Sequence, residues 1–256
     1  MSKLPSSILA DLDAVSKHSH YQTLHPALSA HIGFPDSYRP RKLLEAERDD
    51  FIGRFVDFKG AAVADIGANT GYFTISAMEK GADQITALEG NLHHANFLES
   101  CAETMGVSDK IRVQNQYVNF EPYDLPYFDI LMCFNVLHHL GDDFRPETQQ
   151  KDALEKMGHA LRQIVMHART TIFQIGFNWK GDRNSPLTTN GTKQEIVDFV
   201  NQSVQGLKVQ VLVGCYDKGS RAYQRMNAQN MARFDDLGEF ANRPLFIITN
   251  TEATKP

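Results

Sequence analysis

The sequence predicts an α/β fold: a seven-stranded, mostly parallel sheet, doubly wound by helices and preceded by an N-terminal helical extension. Three observations predict it. From residue 61 onward, short apolar runs alternate with segments of helical period, the pattern of repeated β-α units. The first of these runs ends in a small-residue turn, Gly67 to Gly71, that leads directly into a helix. Finally, 256 residues with 42% hydrophobic and 22% charged side chains can bury one large core, which suits one α/β domain with a small appendage.

The elements follow in order. Ser6-Ser7 caps a short helix running to about Lys17, with Ile8, Leu9, Leu12 and Val15 inward. The next stretch is rich in His and Tyr, and Pro26, Pro35 and Pro40 keep it from being one long helix. Residues 41–56 read as a helix with Leu43, Leu44, Phe51, Ile52 and Phe55 as its apolar stripe and Glu45, Glu47, Arg48 and Asp50 outside. Strands are expected at 61–66, 84–89, 111–118, 127–134, 170–176, 208–216 and 244–250. Helices are expected at 72–80, ended by Gly81, and at 93–105 and 151–167. A further helix from Thr192 to about Val204 carries Glu195 at the capping-box position. A polar insertion, 217–243, separates the last two strands, which are expected to form an antiparallel edge pair. The domain limits read as 1–58 for the extension and 59–256 for the α/β domain.

Composition excludes several classes. The net charge of −5 gives no global attraction to polyanions and makes nucleic acid an unlikely partner. Cys101, Cys133 and Cys215 lie far apart with no C-x-x-C pair, which argues against a disulfide framework or a cysteine zinc site and suits a reducing compartment. The longest apolar run, Ile130–Phe134, is far too short to cross a bilayer. The N-terminus leads into Asp11 and Asp13 rather than an apolar signal region. A cytoplasmic protein without membrane contact is therefore expected. His18 and His20 have metal-ligand spacing, but no carboxylate or cysteine completes the set, so no metal is expected.

The most informative segment is Val63-Ala64-Asp65-Ile66-Gly67-Ala68-Asn69-Thr70-Gly71-Tyr72. Glycines let a ligand approach the backbone, and Asn69 tolerates the left-handed region. Asp65 ends a strand where open α/β sheets bind ligands, and Glu89 ends the next strand 18 residues after Gly71, a spacing suited to gripping ribose hydroxyls. The glycine spacing is wrong for a dinucleotide fingerprint, and Asp65 would repel a pyrophosphate. A ligand with a cationic amino group fits better.

This segment resembles the first motif of class I S-adenosylmethionine-dependent methyltransferases, D-x-G-x-G-x-G, with Asn69 in place of the middle glycine. Ala87-Leu88-Glu89-Gly90-Asn91 resembles the second motif, and Phe128 to Leu140 the fourth strand and its loop. The resemblance covers roughly 60–250. It implies a Rossmann-like methyltransferase with S-adenosylmethionine as cofactor. Asp65 would face the methionine amino group, and Gly67, Asn69 and Gly71 would flank the methionine moiety. Glu89 would hold the ribose, with Gly90 or Asn91 beside the adenine, Asn119 at its exocyclic amine and Asn135 in the loop after the fourth strand. His138 and His139 follow that strand, and either imidazole could accept a proton. For the acceptor, the loop with Asn178 and Trp179 offers a wall, and His18, Tyr21 and Arg39 belong to a segment, 18–42, read as a cover. Phe173–Gly176, Gly191–Glu195 and the helix before the first motif distantly resemble bacterial enzymes that modify the wobble uridine of tRNA. The favoured acceptor is a small polar metabolite or sugar; RNA modification and non-catalytic cofactor binding are the alternatives.

Overall fold

The computed structural model describes residues 6–14, 21–31, 43–120 and 125–252. Its helices are α1 (Ser6–Asp13), α2 (Pro26–His31), α3 (Glu45–Gly53), α4 (Tyr72–Glu79), α5 (Leu92–Met105), α6 (Gln150–Met166) and α7 (Lys193–Ser203). Its strands are β1 (Ala62–Ile66), β2 (Gln84–Glu89), β3 (Ile111–Asn115), β4 (Phe128–Phe134), β5 (Ala168–Gln174), β6 (Val209–Asp217), β7 (Ala222–Arg225) and β8 (Leu245–Asn250). They form one sheet in the order β3-β2-β1-β4-β5-β8-β6-β7. Strands β1 to β5 pair in parallel, whereas the β5–β8, β8–β6 and β6–β7 pairs are antiparallel.

The sheet thus has eight strands rather than seven. The additional strand, β7, lies inside the stretch expected to be a polar insertion. Its four residues, Ala-Tyr-Gln-Arg, carry too short an alternation to signal a strand, and only pairing with β6 reveals it. That strand also moves the edge. β6 and β8 pair antiparallel as expected, but β8 lies inside, between β5 and β6, and β7 is the outer strand.

The central strands are buried on both faces, and their alternating residues divide between two cores. Ala64, Leu131, Cys133 and Phe173 face a core shared with Leu161 and Ile164 of α6 and Ile196 and Val200 of α7. Val63, Ile130, Met132 and Ile172 face a second core with Phe51 and Ile52 of α3 and Phe73 and Ile75 of α4. Helix α3 belongs to this second core, and its Phe51 ring lies against Gly214 of β6. The helix assigned to the N-terminal extension is therefore part of the sheet's own packing. Leu12, Leu24 and Leu28 form a small satellite core with Phe97 and Cys101 of α5. All three cysteines are buried and free. No helix among the described residues is long and apolar enough to cross a membrane.

Helix α3 departs from its expected polarity. Phe51 and Ile52 are fully buried, but so are Glu45 and Arg48, while Phe55 is exposed. The helix is also shorter than the expected 41–56, so Leu43, Leu44 and Phe55 of the expected stripe lie outside it, and its buried polar side faces a cavity rather than solvent. Helix ends follow the capping signals. Thr192 and Glu195 form a reciprocal capping box on α7, and the Asn91 side chain accepts from the His93 and His94 amides at the start of α5.

Gly71 and Gly106 both adopt positive φ, at 87° and 69°. A Cβ on Gly71 would meet Leu98 Cδ1 at 2.3 Å, while one on Gly106 would meet nothing within 4 Å. Gly106→Ala should therefore cost about 1–2 kcal/mol of backbone strain alone. Gly71→Ala should cost about 2–5 kcal/mol because overpacking adds to strain. Denaturant unfolding of the two variants checks the ordering.

Candidate functional site

Strand order reverses direction at the β1–β4 junction, and a crevice opens there beyond the carboxyl ends of the strands. The cavity encloses about 970 Å³ including its open mouth. Asp65, Ile66 and Gly67 contribute from the end of β1, Leu88, Glu89 and Gly90 from β2, and Phe134, Asn135 and Val136 from β4. Asn69, Phe120 and Asn135 line it with φ values of 52°, 58° and 59°. Left-handed backbone at non-glycine residues thus borders the crevice, where strain is commonly found at functional sites.

Two carboxylates dominate its floor. Asp65 is 2% exposed, and its Oδ2 accepts a hydrogen bond from the Thr74 hydroxyl at 2.7 Å. Burial, with the Glu89 charge adding to it and the Thr74 bond opposing it, pushes the Asp65 pKa from an ordinary 3.8 up to about 7. Glu89 accepts from the backbone amides of Asn69 and Asn91, each at 2.7 Å. These bonds hold the first turn and the start of α5 in register with β2. Gly90 has no Cβ, and the Tyr117 ring occupies the space where one would be. Tyr117, half exposed, then forms an aromatic wall beside Leu88, Val118 and Phe120.

The other walls come from farther along the chain. Arg48 is 3% exposed; its Nη1 donates to Gln174 Oε1 at 2.9 Å, and its guanidinium lies over the Phe73 and Phe134 rings. Glu45, 3.8 Å from Arg48, has its pKa raised by burial. Gln22 Oε1 accepts from the Tyr72 amide at 2.9 Å. It thereby supplies the start of α4 with a cap that the local N-cap, Gly71, cannot give. Tyr21 lines the cavity beside it and packs edge-on against Phe240.

The expected site residues separate accordingly. Asp65, Gly67, Asn69, Glu89, Gly90, Asn91, Asn135, Tyr21 and His139 line the cavity. Gly71 does not; it gives α4 close contact with Leu98. Asn119 is exposed and outside the lining, because the chain there turns its neighbours Val118 and Phe120 inward instead. His138 is buried behind the wall, where its Nδ1 accepts from the Gly176 amide at 3.4 Å. Trp179 and Asn178 also lie outside the lining. The indole donates to the Leu140 carbonyl at 2.6 Å, and the Asn178 amide donates to Glu239 at 3.2 Å. They anchor loops. His18 and Arg39 lie outside the described residues. Sequence reasoning missed Gln22, Glu45, Arg48, Tyr117 and Asp143. Arg48 left one signal, an arginine within a turn of buried Phe51 and Ile52.

No protein-family model matches the chain. It is 26% identical over 138 residues, 52% of its length, to the tRNA U34 carboxymethyltransferase of Campylobacter fetus, of which the match covers 48%. Over 88 residues, 33% of its length, it is 35% identical to protein arginine N-methyltransferase 7 of Drosophila ananassae, covering 13% of that protein. The chain thus spans half or less of the length of the curated relatives it matches. Among solved structures, the bifunctional kinase-methyltransferase WbdD superposes with a TM-score of 0.55 at 15% identity, covering 95% of this chain and 46% of that one. A Listeria monocytogenes protein described as an S-adenosylmethionine-dependent methyltransferase gives 0.50 at 13% identity, covering 81% of this chain and 99% of that one. The fold is that of class I S-adenosylmethionine-dependent methyltransferases, and the resemblance holds in sequence and structure alike.

Asp65 gives a test of the cavity's electrostatics. Its folded pKa is raised, so the stability of the neutral form is fully present below its unfolded value and is lost as pH rises through about 7. Asp65→Asn mimics the neutral form. In ligand-free protein it should raise the melting temperature at pH 8, corresponding to a gain on the order of 4 kcal/mol in stability, and leave it nearly unchanged near pH 4. Thermal melts at the two pH values decide it.

Proposed function

We infer that the chain is an S-adenosylmethionine-dependent methyltransferase acting on a small polar acceptor. The observation that carries this reading is the pair of carboxylates at the ends of adjacent strands β1 and β2, both opening into one crevice. The residues fit the cofactor's chemistry. A buried carboxyl with a raised pKa is stabilised as a carboxylate by an ammonium group, which Asp65 would receive from the methionine moiety. Glu89, already fixed by two amides, can accept from vicinal ribose hydroxyls, and Tyr117, Leu88 and Val118 give the base an apolar berth. S-adenosylmethionine, when bound, supplies a methyl group activated on a sulfonium, so transfer depends mainly on placing the nucleophile in a closed site.

The chain's own residues do that placing. Tyr21, Arg48, His139 and Asp143 line the same cavity and offer the acceptor polar contacts of both charges. Phe73, Phe134 and Phe144 add apolar rings to the same lining. A cleft lined in this way, in a chain of net charge −5, suits a compact acceptor better than a folded polyanion. Modification of tRNA is the second reading, favoured by the similarity to tRNA U34 carboxymethyltransferases over 52% of the chain.

Two measurements test these readings. Hydrogen bonds to a charged group are worth ~1.5–3 kcal/mol, so Glu89→Ala should weaken S-adenosylmethionine binding by about 10- to 150-fold in calorimetry. Unchanged affinity in a folded variant would sink the cofactor assignment. Filter binding with total tRNA at low and moderate salt, with labelled methyl donor present, separates the acceptors. Salt-sensitive binding with label entering RNA would overturn the small-acceptor reading.

A further inference from the structure

Among the described residues, Arg48 and Arg243 are the buried arginines, and they differ in their partners. Arg243 meets a carboxylate: its Nε and Nη2 donate to Glu239 Oε1 at 3.2 and 2.7 Å, and its Nη1 donates to Asn135 Oδ1 at 2.7 Å. Arg48 meets neutral oxygens. Its Nε donates to the Leu44 carbonyl at 3.3 Å, its Nη1 to Gln174 Oε1 at 2.9 Å and its Nη2 to the Leu43 carbonyl at 3.2 Å. A guanidinium carries two hydrogens on each Nη. One hydrogen on Nη1 and one on Nη2 therefore have no acceptor among the described residues.

Glu45 does not fill that role. Its Oε1 stands 3.8 Å from Arg48 Nη2, outside hydrogen-bond reach, and its Oε2 accepts from the Leu43 amide at 3.0 Å. Burial raises the Glu45 pKa, which weakens it as a counter-ion. Buried charges are ordinarily paired and hydrogen-bonded, because their desolvation is otherwise uncompensated. Arg48 lines the cavity and is the only Lys or Arg in its lining among the described residues. The cavity is where its missing counter-ion would stand. The guanidinium is also held ready: the Phe73 and Phe134 ring centres lie 5.0 and 5.6 Å from it, and such stacking fixes the plane of the fork.

The position separates this anion from the cofactor carboxylates. Glu89 and Asp65 stand at the ends of β2 and β1, whereas Arg48 bonds Gln174 at the end of β5, two strands beyond β1 in the order β2-β1-β4-β5. At ~4.8 Å per strand, that is about 10 Å from the row that holds Asp65.

We propose that Arg48 determines acceptor specificity by binding a carboxylate of the acceptor, which is therefore a compact carboxylic acid. The proposal rests on the methyl-transfer reading above and narrows it. Donors on two adjacent nitrogens match the two oxygens of one carboxylate. A single guanidinium in a lining that also holds Glu45, Asp65, Glu89 and Asp143 favours a monoanion over a dianionic phosphate. With one such cation available, the acceptor has one orientation, its carboxylate toward β5 and its remainder toward the cofactor.

Fluorine NMR with para-fluorobenzoate and para-fluorobenzamide, probes of one shape that differ in charge, tests this on the full chain loaded with S-adenosylhomocysteine. Wild type should bind the benzoate saturably and about ten-fold or more tightly than the benzamide. Arg48→Met should lose that preference, and Arg48→Lys, which keeps the charge without the fork, should lose most of it. Calorimetry should find S-adenosylhomocysteine affinity in both variants within about three-fold of wild type. The proposal is overturned by absence of saturable benzoate binding up to about 10 mM, by equal binding of the two probes to wild type, or by a benzoate preference that survives in a folded Arg48 variant. A loss of S-adenosylhomocysteine affinity of about ten-fold in the variants also overturns it, because the donor's own carboxylate would then occupy Arg48. The two-probe comparison in wild type holds even if neither variant folds. A wild type that binds the benzoate but no S-adenosylhomocysteine would support the Arg48 site and refute the cofactor reading, so the two failures are distinguishable.

Discussion

The cavity's architecture depends on the hydrogen-bonding capacity of one buried amide. Gln174 ends β5 with no exposure to solvent, and its side chain makes four bonds. Its Oε1 accepts from Arg48 Nη1 at 2.9 Å and Asn135 Nδ2 at 3.2 Å; its Nε2 donates to Tyr223 Oη at 3.2 Å and to the Arg243 carbonyl at 3.1 Å. That exhausts its two donors and matches its two lone pairs. One side chain thereby joins α3, the end of β4, β7 and the far end of the 217–243 insertion. Each partner is itself buried, so leaving any of them unmatched carries a desolvation penalty of ~1–3 kcal/mol. A network of this kind fixes one arrangement of the elements because partial satisfaction is costly.

The insertion follows from this network. Arg243 donates from Nη1 to Asn135 Oδ1 at 2.7 Å and from Nη2 to Glu239 at 2.7 Å, and its guanidinium lies 3.8 Å from the Phe240 ring centre. Glu239 in turn accepts from Asn178, holding the loop that carries Trp179. What reads in sequence as a polar excursion is a brace. It ties the loop after β5 to the loop after β4 and gives Tyr21 its aromatic neighbour. The guanidiniums of Arg48 and Arg243 sit behind or within the wall, while the carboxyl groups of Asp65 and Glu89 occupy the floor.

The chain's own residues wrote much of this. The β-α alternation, the turn from Gly67 to Gly71, the carboxylates at positions 65 and 89, and the capping residues Asn91 and Thr192 are local signals. Period, turn chemistry and caps depend on neighbours within a few residues, so the fold class, most element bounds and the strand ends that form the floor were legible. The eighth strand was not, because β7 is too short to show a period of its own and exists only as the partner of β6.

Tertiary structure decided which side chains face the cavity. Periodicity places Glu45 and Arg48 on the polar side of α3, but only packing against β6, β7 and α4 shows that this side looks inward. The His138-His139 pair is symmetric in sequence, yet the turn at 137–139 sends His138 behind the wall and His139 to its surface. Trp179 and Asn178 have the composition of a substrate wall and serve instead as loop anchors, because Leu140 and Glu239 stand within reach. A sequence fixes what each residue can bond to. Which partner it meets is set by elements many positions away, and the walls of this crevice are built from such distant pairs.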